Sequence, residues 1–159
     1  MRIIVISDTH GHVQAMQAVW SAHPEADRFI HLGDGLSDVE HFRQLRPDCP
    51  LLYVKGNTDF QSSVPEMADM VVNGHRILYT HGHSFSVKQS TEALRQYARR
   101  MGYGIVLYGH THQPAYRFRN GIHYLNPGSA VLGSWYRFGI VDITPTDVIC
   151  VTTEIQRTP

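Results

Sequence analysis

The segment MRIIVISDTHGH, residues 1–12, joins a buried-strand pattern to a group of candidate ligands. Its apolar run at residues 3–6 is rich in β-branched side chains and has the length of a strand buried on both faces. Asp8 and His10 follow directly, and Gly11 permits a tight turn. The segment therefore predicts a buried strand whose carboxyl end carries functional side chains.

The same pattern of a strand followed by a polar residue recurs along the chain. Further apolar runs at residues 28–32, 51–54, 76–80 and 105–108 precede, in turn, Asp34, Asn57, His81, and His110 with His112. Because the carboxyl ends of strands in an open α/β sheet meet at one edge, we expect these side chains to lie close together.

Three helix patterns lie between these runs, at residues 13–20, 37–45 and 87–101. Ser37 and Glu40 have the spacing of a capping box, which predicts the start of the second helix. Gly102 is placed to end the third helix. The alternation of strands and helices predicts parallel strand pairing in this part of the chain.

The C-terminal part of the chain has a different pattern. Residues 115–120, 122–125, 135–143 and 148–155 predict antiparallel strands, with Asn120-Gly121 as a hairpin turn. Trp135, Tyr136 and Phe138 are expected to belong to the core, or to a subunit interface if they point outward.

Composition narrows the class of protein. The length of 159 residues and a hydrophobic content of 42% predict a single domain, residues 1–159. Because 14 Lys and Arg balance 14 Asp and Glu, we expect no general attraction to nucleic acid or to an anionic membrane. Cys49 and Cys150 lack C-x-x-C spacing and no signal-peptide pattern opens the sequence, so free thiols and a cytoplasmic location are expected. A homo-oligomer remains open.

Histidine is the unusual residue type. Six of the eleven His form three His-x-His pairs, and imidazole is the commonest metal ligand in proteins. The seven candidates that follow the predicted strands are Asp8, His10, Asp34, Asn57, His81, His110 and His112. They exceed the needs of one tetrahedral ion and suit two ions such as Mn, Fe, Zn, Co or Ni. The alternative interpretation is that the Asp and Asn side chains cap helices and turns while the His side chains fill polar niches.

Six short motifs carry a resemblance to a known family. They are Asp8-Thr9-His10-Gly11, Gly33-Asp34, Gly56-Asn57-Thr58-Asp59, His81-Gly82, Gly109-His110-Thr111-His112 and Asn126-Pro127-Gly128-Ser129. In their order and approximate spacing, the sequence resembles the calcineurin-like metallophosphoesterases, and within them the small YfcE-like phosphodiesterases. The resemblance implies an α/β fold, a four-layer α-β-β-α sandwich with mixed sheets and a metal site at the C-terminal ends of the strands.

The resemblance also implies roles for the seven candidates. Asp8, His10 and His112 would hold one divalent ion, and Asn57, His81 and His110 would hold the other. Asp34 would bridge the two ions, since a carboxylate has lone pairs on two oxygens. Manganese is the first expectation for both ions, with nickel, iron, cobalt and zinc as alternatives. The implied reaction is hydrolysis of a small phosphate ester, most typically a diester, by a hydroxide that bridges the metals.

One position departs from the wider family pattern. Many members carry a His after the Asn, thought to protonate the leaving oxygen, whereas this sequence has Thr58, as in the YfcE-like branch. A neutral hydroxyl is a poor general acid, so His12 and His83 are the candidates for that role or for substrate contact. Thr58, Asp59, Asn126 and Ser129 are candidates for outer-shell or pocket positions, and a simple turn role is equally open for the last three.

A second class of function is a binding module. The same fold occurs in a retromer subunit that acts mainly as a protein-interaction scaffold and also lacks the His after the Asn. All seven metal-ligand positions here hold competent donors, which favours the enzyme over a scaffold that is weakly active or inactive.

Overall fold

A computed structural model describes residues 1–60 and 62–157 of the chain. Within those residues the strands are β1 (Arg2–Ile6), β2 (Arg28–His31), β3 (Leu51–Tyr53), β4 (Met67–Val72), β5 (His75–Thr80), β6 (Ile105–Tyr108), β7 (Ala115–Arg119), β8 (Ile122–Asn126), β9 (Val131–Leu132), β10 (Trp135–Ile143) and β11 (Val148–Gln156). The helices are α1 (Val13–Ser21), α2 (Leu36–Leu45) and α3 (Glu92–Met101), and a short 3-10 helix spans His83–Phe85. Over those residues, no helix is long and apolar enough to cross a membrane.

The strands form two mixed sheets. The first has the order β11-β10-β1-β2-β3 with β9 paired to β10, and the second has the order β4-β5-β6-β8-β7. β1, β2 and β3 pair in parallel, as do β5, β6 and β8, while the outer pairs are antiparallel. The carboxyl ends of the parallel strands in each sheet carry the loops in which the candidate ligands lie.

Three apolar clusters hold four layers together. The central cluster, which includes Ile3, Leu107 and Leu125, lies between the two sheets. The second packs α1 and α2 on the outer face of the first sheet, and the third packs α3 on the outer face of the second. This arrangement confirms the predicted four-layer α-β-β-α sandwich. Burial of β1 on both faces explains why its sequence is a continuous apolar run.

The start of α2 differs from the capping-box prediction. Gly35 is the N-cap residue and Ser37 lies inside the first turn, where it does not cap the helix. The carboxylate of Asp59, which follows β3, instead accepts the N–H groups of Gly35 and Leu36 at 3.0 and 2.9 Å. A side chain distant in sequence therefore satisfies two orphan donors at the start of the helix, which begins one residue before the predicted capping box.

Two other local expectations were wrong. The third helix was expected from residue 87, but α3 begins at Glu92. Turns occupy the segment between the 3-10 helix and Glu92, and Val87 packs in the core ahead of the helix. Trp135 is 41% exposed while Tyr136 and Phe138 are buried. Tyr136 and Phe138 share one face of β10, and Trp135 projects from the other face at the end of the strand. Cys49 and Cys150 are free thiols, as expected.

Gly139 on β10 lets the two sheets approach closely, which generates a stability prediction. A Cβ added there would lie 2.6 Å from Cδ2 of Leu125 in the opposite sheet. We expect Gly139→Val to lower the free energy of unfolding by about 1–3 kcal/mol, since overpacking forces side chains off their preferred rotamers. Chemical denaturation measures the change.

The same substitution in a Leu125→Ala background provides the matched test. Removal of the Leu125 side chain clears the space, so the additional cost of Gly139→Val should fall by more than about 0.5 kcal/mol. Strict additivity of the two substitutions would show that the clash is not the cause.

Candidate metal centre

The seven predicted ligands lie together where loops from both sheets meet. Their ligand atoms form two groups, Asp8 with His10 and His112, and Asp34 with His81 and His110, and within each group all the atoms lie within 4.8 Å of one another. The amide oxygen of Asn57 lies 3.2 Å from Nε2 of His81, beside the second group. Each group contains residues that follow strands of the first sheet and residues that follow strands of the second.

The first group contains an orphaned buried oxygen. Oδ1 of Asp8 has no hydrogen-bond partner among residues 1–60 and 62–157 although it is buried. It lies 3.1 Å from Nε2 of His112 and 3.8 Å from Nε2 of His10. Ligand atoms at about 2.1 Å from one ion are about 3.0–3.4 Å apart in octahedral or tetrahedral geometry. The Asp8–His112 separation therefore fits two ligands of one cation, and His10 lies farther from Asp8. The two imidazoles are 40% and 46% exposed, so the group opens to solvent.

The second group brings two imidazole nitrogens and a carboxylate oxygen close together. Nδ1 of His81 donates to the carbonyl oxygen of Leu32 at 2.9 Å, so in the neutral ring Nε2 carries a lone pair. That nitrogen lies 3.1 Å from Nδ1 of His110 and 3.4 Å from Oδ2 of Asp34. Lone pairs that converge in this way suit a bound cation, and the carbonyl bond orients the His81 ring toward it.

Asp34 lies between the two groups. Its Oδ2 is 3.4 Å from Nε2 of His81 in one group and 3.9 Å from Nε2 of His10 in the other. Oδ1 accepts the backbone N–H of Thr58 at 2.9 Å, which fixes the carboxylate plane. Gly56 packs so closely that an added Cβ would lie 2.1 Å from Oδ1 of Asp34. One oxygen of Asp34 therefore faces a ring nitrogen of each group.

The pKa shifts of Asp34 and His110 favour metal binding, whereas that of His81 does not. Burial raises the pKa of Asp34, but its bond to His81 and the Thr58 N–H outweigh burial and hold that pKa well below its usual range. Burial, the neighbouring His81 and the charge of Lys88 lower the pKa of His110 to about 4. Burial lowers the pKa of His81, yet Asp34 and Asp8 raise it above its ordinary value, because they favour the protonated ring. An ionised Asp34 and a neutral His110 are the forms that bind metals.

Five of the seven residues have a left-handed backbone. The φ angles are 57° at Asp8, 44° at His10, 57° at Asp34, 67° at His110 and 62° at His112. Such angles are uncommon outside glycine, and strained residues cluster at functional sites. The His110–His112 pair therefore does not lie in extended backbone, where alternate side chains share one side. Its left-handed turns send the two rings into different groups.

Asp59 positions the loop after β2, which carries Asp34, and the loop after β3, which carries Asn57. Its carboxylate accepts the backbone N–H groups of Asp34 and Gly56, each at 2.8 Å, in addition to those of Gly35 and Leu36. The two roles considered from the sequence, orienting a ligand and capping a turn, are thus combined in one side chain. Thr58, its neighbour, is exposed beside Asn57.

Asn126 and Ser129 brace ligand loops. The Asn126 amide is buried and donates to the carbonyl of Gly109 at 2.9 Å and to Oγ1 of Thr111 at 3.0 Å, on either side of His110. The hydroxyl of Ser129 donates to the carbonyl of Asp8 at 3.1 Å. These contacts are to backbone carbonyls and to the Thr111 hydroxyl, not to a metal-binding side-chain atom. Both side chains therefore act on the site by holding its loops.

His12 and His83 are placed differently. His83 lies beside the second group, with its ring centroid 5.4 Å from that of His81, and its Nε2 is 3.6 Å from a carboxylate oxygen of Glu66. Its Nδ1 is buried without a hydrogen-bond partner among the residues described. The side chain of His12 is exposed ahead of α1, and over the same residues it forms no hydrogen bond or ion pair.

Sequence reasoning missed two supporting side chains. The hydroxyl of Ser7 donates to Oδ2 of Asp8, and Thr9 accepts a hydrogen bond from Nε2 of the buried His31 at 3.0 Å. Nδ1 of His31 accepts the N–H of Gly33, and burial lowers its pKa to about 4, so the ring is neutral. Ser7 and Thr9 flank Asp8 in the sequence, and this position beside a candidate ligand is the feature that could have identified them.

Comparison with protein families places the whole arrangement in context. A family model described as the calcineurin-like phosphoesterase superfamily domain matches residues 1–145. The probable metallophosphoesterase YsnB of Bacillus subtilis (strain 168) is 31% identical over 131 residues, which is 81% of this chain and 75% of that protein.

Two further relatives carry different names. The phosphodiesterase YfcE of Escherichia coli (strain K12) is 26% identical over 95% of this chain and 92% of its own length. Vacuolar protein sorting-associated protein 29 of Schizosaccharomyces pombe is 36% identical over 65% of this chain and 55% of its own length.

A solved structure agrees with the fold. The crystal structure of a Streptococcus pneumoniae TIGR4 protein described as a predicted phosphoesterase superposes with a TM-score of 0.75 at 29% identity, covering 98% of this chain and 97% of that one. The match over residues 1–145 includes every candidate ligand. Sequence, fold and the convergence of the ligand loops therefore agree that the chain belongs to the calcineurin-like phosphoesterase superfamily.

Proposed function

We propose that the chain is a phosphodiesterase that depends on two divalent metal ions. The observation that carries the proposal is the placement of Asp34 between two groups of ligand atoms, close to a nitrogen of each. Membership in the family supports hydrolysis of phosphate esters, and the similarity to YfcE supports a diester substrate. The substrate class is a small phosphorylated molecule, and a cytoplasmic setting is consistent with the free thiols.

In this proposal each group holds one ion. Asp8, His10 and His112 hold the first, Asn57, His81 and His110 hold the second, and Asp34 bridges them. Manganese remains the first expectation, with nickel, iron, cobalt and zinc as alternatives. When bound, two such ions activate water for attack and offset the charge that develops on the phosphoryl group.

The protein's own contribution is positional and electrostatic. The solvent-exposed imidazoles of His10 and His112 form the open side of the centre, where a substrate can approach. Hydrogen bonds fix the rotation of three of these side chains. The Ser7 hydroxyl donates to Asp8, the Thr58 N–H donates to Asp34, and the Leu32 carbonyl accepts from His81. Metal-binding side chains held in this way need little rearrangement during the reaction, which is the basis of electrostatic preorganisation.

His83 is the side chain that we assign to protonation of the leaving oxygen. It lies beside the second group, and its Nε2 is 3.6 Å from a carboxylate oxygen of Glu66. Thr58, which occupies the position after Asn57, offers only a hydroxyl.

Hydrolysis of bis-p-nitrophenyl phosphate tests the proposal. Protein treated with a chelator should be inactive, and manganese should restore activity with two ions bound per chain. Asp34→Asn should bind fewer ions and lose about 100-fold or more of kcat/KM, because the shared carboxylate is weakened. Asp48→Asn, which alters an exposed carboxylate before β3, is the matched control and should behave as the wild type.

Two results would contradict this assignment. Full activity with both ions retained in Asp34→Asn would remove the bridging role. A folded wild-type protein that hydrolyses no diester with Mn, Ni, Co or Zn would favour the alternative, a protein-interaction scaffold, in line with its similarity to vacuolar protein sorting-associated protein 29.

A pair of His substitutions tests the proton donor. His83→Gln should slow hydrolysis of a diester with a poor leaving group by about 100-fold and should affect the activated p-nitrophenyl diester much less. His12→Gln removes an exposed imidazole outside the two groups and serves as the control. Wild-type rates for both variants on the poor substrate would leave neither residue as the acid.

Asp59→Asn tests the positioning of the two loops. An amide can replace only part of the acceptor capacity that binds four N–H groups, so the free energy of unfolding should fall by about 1.5–3 kcal/mol. Metal affinity should fall as well, because Asp34 and Asn57 lie in the loops that Asp59 joins. Denaturation and metal titration measure the two effects, with Asp48→Asn as the reference. Unchanged metal affinity in a destabilised Asp59→Asn protein would limit the residue to helix capping.

A further inference from the structure

The balanced charge of the chain conceals a strong local asymmetry. Residues 70–141 contain eight of the Lys and Arg residues and a single acidic residue, Glu92. Several of these cations lie on α3, which packs on the outer face of the second sheet, and on β7, the edge strand of that sheet. The expectation of no attraction to polyanions, based on net charge, therefore does not describe this face.

A cleft of about 370 Å³ lies on this face, between α3 and β7. Its walls include Arg95, Arg117, Arg119, Phe118, Tyr108 and Tyr124. Arg117 pairs with Tyr124 across β7 and β8, and Arg119 shares its side of β7 because alternate residues of a strand point the same way. Three guanidinium groups and two phenols therefore surround one space.

Arg117 and Arg119, the two cations of β7 that line the cleft, form no ion pair within the described residues. Arg95 pairs with Glu92 on α3, whereas Arg117 donates only to the backbone carbonyl of Tyr116. Guanidinium groups in such a position recognise phosphate and carboxylate groups through paired hydrogen bonds.

The two tyrosines add hydrogen-bond donors to the cleft. Tyr108 and Tyr124 are only 7% and 5% exposed, and both line the cleft. Within the described part of the chain, neither hydroxyl makes a hydrogen bond, and neither is a buried atom, so both open to the solvent of the cleft. Beside the unpaired arginines, they can donate to a ligand rich in acceptor oxygens.

We propose that this cleft binds a small organic phosphate, a phosphomonoester attached to an apolar or aromatic group. The phosphate meets Arg117, Arg119 and the tyrosine hydroxyls, and the attached group lies against the rings of Tyr108 and Tyr124. The site is separate from the metal centre, since Tyr108 and Tyr124 face α3 while the metal-binding side chains follow the ends of the strands. Binding therefore requires no metal and does not depend on the proposed hydrolysis.

Calorimetric titration of chelator-treated protein with AMP tests the proposal. AMP should bind, inorganic phosphate should bind more weakly, and adenosine should not bind. Arg117→Gln and Tyr124→Phe should each weaken AMP binding by about tenfold, the loss expected for one charge-assisted contact. Arg46→Gln, which removes an exposed cation just beyond α2 on the opposite outer face, is the matched control and should bind as the wild type.

The outcomes separate the proposal from its rivals. No AMP binding at millimolar concentration by the wild type, or equal weakening by Arg46→Gln, overturns it. Equal affinity for AMP in wild type and both cleft variants, each with an unchanged denaturation midpoint, moves the binding elsewhere. A single-stranded RNA that binds far more tightly than AMP, with steep salt dependence, would replace the small ligand with a polyanion.

Discussion

The four backbone N–H groups that bind the Asp59 carboxylate tie the loop after β2 to the loop after β3. These loops carry Asp34 and Asn57, and the same carboxylate supplies the cap that α2 lacks in its own sequence. The loops approach so closely that an added Cβ at Gly33 would lie 2.5 Å from the nitrogen of Gly56. Without a shared anionic acceptor, these inward-facing donors would remain unsatisfied in a partly buried space, which is costly. The position of the bridging carboxylate, the start of a helix and the close approach of two loops therefore depend on one side chain.

A strained backbone is the other condition of the site. Left-handed conformations at Asp8, His10, Asp34, His110 and His112 each oppose the ordinary preference of a residue with a Cβ. The loops retain them because each follows a strand that is almost completely buried, and because Asn126 and Ser129 bind the loop carbonyls from outside the ligand groups. Rigid strands and braced loops thus hold side chains where an unsupported turn would not. Strain of this kind is found where geometry matters more than local stability.

The sequence predicted the strands and the seven converging residues well, because both depend on local patterns: apolar runs and the polar residue after each run. The sharing of ligands between two ions came from the family resemblance and stays a proposal. The cap of α2 was not predictable, because its acceptor lies 23 residues from Leu36 in sequence. β4 was missed because Met67–Val72 is a half-buried edge strand with a mixed pattern and no ligand after it. Left-handed turns at His110 and His112 leave no trace in residue spacing, and net charge averages away the basic face of α3 and β7.

The membership of the two ligand groups has a mechanical consequence. Each group takes residues from loops of both sheets, with Asp8, His10 and Asp34 on one side and His81, His110 and His112 on the other. Among the described residues, no strand of one sheet pairs with a strand of the other and no disulfide links them. Apolar side chains fill the space between the sheets. A slip of one layer over the other would leave each sheet intact and yet pull both groups apart together. The distances between the ligand atoms therefore depend on how the two sheets are aligned. A cation bound there would link the two sheets and resist their sliding.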